Sequence, residues 1–201
     1  IKVLVVDDSA FMRKVVSDIL SSDAGINVID TAKNGLEAIE KAKSLKPDVI
    51  TLDVEMPVMN GLECLKEILK SRQTPVIMLS GLTKDGADST IQALEAGAID
   101  FITKPVNLFE MGGEGKKQEL IEKVKIAKNA IKARGSLRAK LPAKPRSSIE
   151  KSSNIKYIVA IGTSTGGPKA LQDVIPNIPG NVPAAFLVVQ HMPPGFTKSL
   201  A

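Results

Sequence analysis

Tryptophan is absent, tyrosine occurs once and phenylalanine five times, so aromatic residues make up only 3% of the chain. A core must therefore be packed from Val, Ile, Leu and Met, the side chains that parallel strands buried on both faces prefer. Cys64 is the single cysteine, which excludes an internal disulfide framework and agrees with a reducing compartment. No apolar run approaches the roughly 20 residues needed to cross a bilayer, and no basic-then-apolar leader opens the chain. The expectation is a cytoplasmic protein that is not membrane-embedded.

With 201 residues, the chain has room for one domain of about 100–150 residues and part of a second. It begins at Ile1 without an initiator Met and stops at Ala201 within a Ser/Thr/Lys/Leu run, which reads as a fragment. The net charge of +5 is unevenly spread. Residues 1 to 111 hold 12 basic and 17 acidic side chains, residues 112 to 156 hold 13 and 4, and residues 157 to 201 hold 2 and 1. A nucleic-acid footprint would pair such a basic run with aromatics or a recognition helix. This run has neither, so it reads as a solvated helix and tether with no nucleic-acid partner.

Five strand-helix units are expected in the first part. Val3-Leu4-Val5-Val6 runs into Asp7-Asp8, Val49-Ile50-Thr51-Leu52 into Asp53, Val76-Ile77-Met78-Leu79 into Ser80, and Phe101-Ile102-Thr103 into Lys104-Pro105. Helical apolar spacing separates the strands, as at Val15, Val16, Ile19 and Leu20 or Leu62, Leu65, Ile68 and Leu69, so the strands must be parallel. A fifth helix is predicted over Lys116 to Arg134, stopped by Gly135. Residues 1–134 make the first domain. A Lys/Arg/Ser/Ala/Pro tether with Pro142 and Pro145 fills 135–155, and a second, incomplete domain occupies 156–201. In that part a strand over Lys156 to Ile161 leads into Gly162-Thr163-Ser164-Thr165-Gly166-Gly167-Pro168. A helix over Lys169 to Ile175 and a strand over Ala184 to Gln190 follow, with His191 at the strand's end.

Parallel βα units put every strand's carboxyl end on one side, where open α/β sheets bind ligands. Asp7, Asp8, Asp53 and Lys104 therefore converge. Three neighbouring carboxylates repel unless a cation compensates, and magnesium, held by one or two carboxylates plus phosphate oxygens, is the natural one. Asp8 and Asp53 with the backbone carbonyl of Glu55 would supply an incomplete shell, and Asp7 would assist through water. Asp53 is the candidate nucleophile for phosphorus. Lys104 would meet the phosphoryl oxygens and Ser80 would donate a hydroxyl hydrogen bond. A single acid at a strand end is ordinarily a loop solubiliser or helix cap, but the whole set at consecutive strand ends is not.

On Asp7-Asp8, the Asp53-x-x-Met56-Pro57 run ending in Gly61, Ser80-Gly81 and Lys104-Pro105, residues 1 to about 134 resemble a response-regulator receiver domain. The resemblance implies a flavodoxin-like α/β fold with strand order 2-1-3-4-5, phosphorylated on Asp53 by a histidine kinase with Mg2+. It also implies that Ser80 and Phe101 change orientation on phosphorylation. Phe101 stands where a tyrosine is commoner, so such a switch must work by packing. Gly112-Gly113-Glu114-Gly115 looks like an insertion before the last helix.

Gly162-Thr163-Ser164-Thr165-Gly166 satisfies G-x-S-x-G between a strand and a helix, the context in which a sharp turn exposes a nucleophilic hydroxyl. Backbone N–H groups there can stabilise an oxyanion. A glycine-rich turn also cradles phosphate, but no Gly-Lys-Ser/Thr follows to make a P-loop. His191 is the chain's only histidine and the one imidazole that can serve Ser164 as a base. Receiver, basic tether, Ile-Gly-Thr-Ser-Thr-Gly-Gly-Pro and Val-Val-Gln-His-Met-Pro-Pro-Gly-Phe-Thr together resemble the chemotaxis protein-glutamate methylesterases, the CheB family. The resemblance implies a receiver regulating a serine hydrolase of doubly wound α/β fold that demethylates glutamate esters and deamidates glutamines on methyl-accepting chemoreceptors, under a chemotaxis histidine kinase. Ser164 and His191 would be nucleophile and base, and Thr165 an oxyanion or turn residue. The third triad member, an aspartate, would lie beyond Ala201, so this stretch alone is expected to have little esterase activity. A receiver acting only by binding a partner, and a DNA-binding regulator, are the other readings. The strand, glycine turn, helix and strand after the tether argue against the second.

Overall fold

The computed structural model describes residues 1–81, 83–104, 114–137, 155–193 and 196–200. Strands β1 (Lys2–Val6), β2 (Asn27–Ala32), β3 (Val49–Asp53), β4 (Val76–Ser80) and β5 (Asp100–Thr103) form a parallel sheet in the order β2-β1-β3-β4-β5. This is the flavodoxin-like order expected above. Because successive strand side chains point to opposite faces, the apolar runs feed two cores. Leu4, Val6, Ile50, Leu52 and Met78 bury against helices α2 (Gly35–Leu45), α3 (Gly61–Ser71) and α4 (Lys84–Ala96). Val3, Val5, Val49, Ile77 and Leu79 bury against α1 (Ala10–Ser21) and α5 (Glu114–Leu137).

Each of the first four helices starts on a side-chain cap: Ser9 accepts from the Met12 N–H, Asn34 from Glu37, Asn60 from Glu63 and Thr83 from Gly86. Such caps satisfy otherwise orphaned donors and stabilise by about 1 kcal/mol apiece. At α3 the capping is reciprocal, with the Glu63 carboxylate accepting from the Asn60 N–H, and this fixes where the chain turns after β3. Cys64, in the next turn, is fully buried; its thiol donates to the Gly35 carbonyl, and burial pushes its pKa up to about 12.

Helix α5 departs from expectation at both ends. It starts at Glu114, so Glu114 and Gly115 belong to its first turn, and it continues through Gly135 to Leu137; Gly112 and Gly113 lie outside the described residues. A glycine inside a helix costs only about 1 kcal/mol relative to alanine, too little to end a helix of 24 residues. Four of its lysines pair with carboxylates: Lys116 with Glu119, Lys123 with Asp100, Lys125 with Asp23 and Lys128 with Asp48. Most of the tether, residues 138–154, lies outside the described residues.

The second part opens with β6 (Tyr157–Thr163) and β7 (Ala184–Gln190), a parallel pair in register from Tyr157 opposite Ala184 to Thr163 opposite Gln190. Between them runs α6 (Gly167–Val174), followed by a 3₁₀ turn at Ile175–Asn177, and α7 (Phe196–Leu200) comes after β7. Helix α6 begins two residues before the predicted Lys169 because Pro168 already occupies its first turn, where a missing N–H costs nothing. Tyr157, Ile158, Leu187 and Val189 are exposed.

One residue of the loop between β3 and α3 is strained. Val58 sits at φ 72° and is 82% exposed, a left-handed backbone that a β-branched side chain strongly disfavours. Val58→Gly is expected to raise the midpoint of urea unfolding, by the equivalent of about 1 kcal/mol, with the urea dependence unchanged. An unchanged or lower midpoint would contradict the strain.

Candidate functional site

Candidate groups gather at two strand edges, the first being the carboxyl edge of the five-stranded sheet. Strands β1 and β3 are neighbours, so Asp7 and Asp53, which end them, lie side by side; Asp7 is 0% and Asp53 2% exposed. Asp8, next along, is exposed, and one carboxylate oxygen from each of the three lies within 4.8 Å of the others. Arg13 holds the turn by donating to the Asp7 and Asp8 carbonyls at 2.8 and 3.0 Å. Lys104, just past β5, reaches back so that its Nζ lies 2.8 Å from Asp7 Oδ2 and 2.6 Å from Asp53 Oδ2. The remaining oxygens accept from backbone: Asp7 Oδ1 from the Ser9 N–H and Asp53 Oδ1 from the Glu55 N–H.

Burial pushes the Asp53 carboxyl up to about 6; Lys104 pulls it down, and the neighbouring charge of Asp7 pushes it up again. For Lys104, burial opposes the charged form, but Asp53 and then Asp7 outweigh it and leave the ammonium raised above its ordinary range. Asp7 Oδ2 and Asp53 Oδ2 are buried and share the single Lys104 ammonium. Two buried anionic oxygens with one ammonium between them, beside an exposed third carboxylate within 4.8 Å, are a donor set suited to a hard dication.

The pocket over these groups is lined by Asp8, Asp53, Glu55, Met56, Asn60 and Lys104, among others. At the start of α3 the Gly61 N–H donates to the Val54 carbonyl. A Cβ there would lie 2.0 Å from the Asp53 carbonyl oxygen, so only glycine lets α3 start this close to the acid. Ser80 is fully buried, but its hydroxyl donates to the Gly81 and Gly86 carbonyls at 3.2 and 3.1 Å. The hydroxyl is thereby turned towards the first turn of α4. Phe101 is buried too, stacked on Phe196 of α7 with centroids 4.8 Å apart and 10° between planes.

The second site is at the carboxyl edge of the β6–β7 pair. The His191 N–H donates to the Thr163 carbonyl at 3.0 Å, so the residues after the two strands emerge together, and the Ser164 and His191 side chains are both exposed there. Thr165 and Gly166 make the turn, Gly166 at φ 72°, and the Gly167 N–H returns to the Ser164 carbonyl at 2.8 Å. A tight turn that presents a hydroxyl in front of a helix N-terminus is what nucleophilic attack on a carbonyl needs.

Three participants were not picked out from the sequence. Asp100, at the start of β5, accepts a hydrogen bond through Oδ2 from the Gly166 N–H at 2.8 Å. Phe196 covers Phe101. Gln190 bonds across the second site at 2.6, 3.1 and 2.9 Å. Phe196 lies in the quoted Pro-Pro-Gly-Phe run and Gln190 immediately before His191, but neither run says what its residue touches.

Residues 3–112 match the family described as response regulator receiver domain, and residues 159–201 match CheB methylesterase. Over the whole chain, it is 53% identical to a protein-glutamate methylesterase/protein-glutamine glutaminase of Thermotoga maritima, covering 58% of that protein. Identity to the protein of the same name from Bacillus subtilis is 50%, again with 58% of that protein covered. The chain thus spans less than two thirds of these relatives. Among solved structures, the response regulator domain of Thermotoga maritima CheB aligns with TM-score 0.57 and 55% identity, over 64% of this chain and 96% of that one. A CheX-CheY-BeF3-Mg+2 complex from Borrelia burgdorferi aligns with TM-score 0.52 and 34% identity, over 65% and 87%.

Proposed function

Because the chain belongs to the response regulator receiver family and carries the start of a CheB methylesterase domain, we propose that phosphorylation of Asp53 controls ester hydrolysis at Ser164. The observation that carries this reading is the bond from the Gly166 N–H to Asp100. One four-residue strand, β5, runs from that bond to the residue before Lys104, whose ammonium touches Asp53. The two sites are thereby in contact through a single element.

In the first reaction an Asp53 carboxylate oxygen attacks phosphorus of a phosphohistidine on a chemotaxis kinase. The N–P bond breaks and an acyl phosphate forms. Lys104 holds the incoming oxygens, and Ser80, once rotated, donates to one of them. Asp8, Asp53 and the Glu55 carbonyl would hold Mg2+, with Asp7 acting through water. When bound, that ion would neutralise charge on the transferred group. The relative crystallised with BeF3 and Mg2+ supports this choice of cation.

In the second, Ser164 Oγ attacks the side-chain carbonyl of a glutamate methyl ester on a chemoreceptor while His191 takes its proton. The proton leaves with methanol, and water releases the glutamate. Glutamine deamidation follows the same course with ammonia departing. The Thr165 N–H would face the developing oxyanion; the Gly166 and Gly167 N–H groups are held by Asp100 and by the Ser164 carbonyl. Asp100 holds the receiver against this turn and Phe101 holds it against α7 in the unphosphorylated protein, so phosphate raises hydrolysis by favouring the arrangement in which they let go.

In the full-length protein, a small phosphodonor with magnesium is expected to raise methanol release from methylated receptor several-fold. An equal rate with and without phosphodonor, despite stoichiometric phosphate on the protein, would overturn the coupling.

A further inference from the structure

The carboxamide of Gln190 lies across the gap between the two strand ends that carry Ser164 and His191. Its Oε1 accepts from the Thr163 hydroxyl at 2.6 Å, and its Nε2 donates to the Ser164 carbonyl at 3.1 Å and to the His191 carbonyl at 2.9 Å. A primary amide has two donor hydrogens and one carbonyl oxygen, and each has a partner here. A flip of the amide would aim Oε1 at two carbonyls, so the pattern fixes one orientation. Gly167 completes the seat: a Cβ there would fall 2.2 Å from Oε1 and 2.7 Å from Thr163 Cβ, so the first turn of α6 can close over the amide only because that residue has no side chain.

We propose that Gln190 is a positioning residue for hydrolysis, setting the separation and orientation of nucleophile and base through their backbone carbonyls. This rests on the reading of Ser164 and His191 given above. Holding the Ser164 carbonyl fixes the peptide plane that also carries the Thr165 N–H, which would face the oxyanion. Holding the His191 carbonyl fixes the backbone from which the imidazole projects. Beyond the paired strands, the backbone supplies one link between the two ends, the His191 N–H to Thr163. The amide adds two more across the gap, with Thr163 and Ser164, and a local one to His191, all from one rigid plane. Gln190 does not touch the reacting atoms, so its loss should appear in the chemical step and not in substrate binding.

The test uses the full-length protein. Gln190→Ala and the isosteric Gln190→Glu, which keeps the acceptor for Thr163 but loses both donors, are expected to lower kcat for methanol release by about 10- to 100-fold, since misplacement of reacting groups by an ångström costs on this order. KM should stay within twofold, and the rate at which a fluorophosphonate labels Ser164 should fall in parallel with kcat. Thr163→Val, which removes only the hydroxyl that orients the amide, should show a smaller drop of the same kind. A near-UV circular-dichroism spectrum and urea unfolding curve matching the parent's report that each full-length variant is folded. Wild-type labelling and a kcat within twofold in a folded Gln190→Glu protein would overturn the proposal, as would a rise in KM with kcat intact. If Ser164→Ala itself labels and hydrolyses normally, the nucleophile assignment fails first, a result distinct from normal Gln190 variants beside a dead Ser164→Ala.

Discussion

Asp53→Asn is expected to leave the chain unable to take up phosphate from a small phosphodonor with magnesium, while the parent gains one hydroxylamine-labile phosphoryl mass. An amide cannot form the acyl phosphate, and no neighbour is an equivalent substitute. Asp7 is fully buried, with one oxygen on the Ser9 N–H and the other beside Lys104, and Asp8 is exposed at the rim of the pocket. A mass increase that survives the substitution would mean that the acidic pocket works through another acid or not at all.

The same substitution has a signed effect on stability. Asp53 is pushed up to about 6 in the folded protein, against about 3.9 for an unperturbed aspartate. Between those values the folded chain binds more protons than the unfolded one, so stability falls as pH rises through the window and stays lower above it. A shift of about two units corresponds to roughly 3 kcal/mol at most. Without divalent cation, Asp53→Asn should therefore be more stable than the parent at pH 7, by about 1 to 3 kcal/mol, and the difference should vanish near pH 4. Urea midpoints at the two pH values measure it; a parent that is equally stable at both, relative to the variant, would mean that Lys104 already neutralises the site.

Ser164→Ala carries the other large expectation. In the full-length protein, methanol release should fall by at least about 10³-fold, the scale on which loss of a catalytic nucleophile acts. Phosphate uptake on Asp53 should be unchanged, because the two sites are built on different sheets. Hydrolysis within tenfold of the parent would return the molecule to a receiver that signals by binding alone.

Much of this arrangement was legible because the informative residues mark strand ends. Asp7, Asp53 and Lys104 each follow an apolar run, and parallel topology then dictates that they meet. Ser164 and His191 were readable for the same reason. What could not be read were contacts between distant segments that leave no local pattern. Asp100 looks like the polar start of a strand, yet its carboxylate reaches Gly166, 66 residues away. Phe196 looks like a turn residue after Pro-Pro-Gly, yet it is 1% exposed. Gln190 looks like the last polar residue of a strand. Rotamers were equally hidden: the sequence offers Ser80 as a hydroxyl, but only coordinates show that hydroxyl turned towards α4. Gly135 was misread because a local signal of about 1 kcal/mol lost to the continuing helix.

Cys64 has a consequence of its own. With a thiol pushed up to about 12 and no exposed surface, it is inert to alkylating reagents while the receiver stays closed, because the thiolate is the reactive form. Its modification therefore reports excursions in which α3 leaves the sheet, and where alkylation is slower than reclosing its rate gives the population of the opened form.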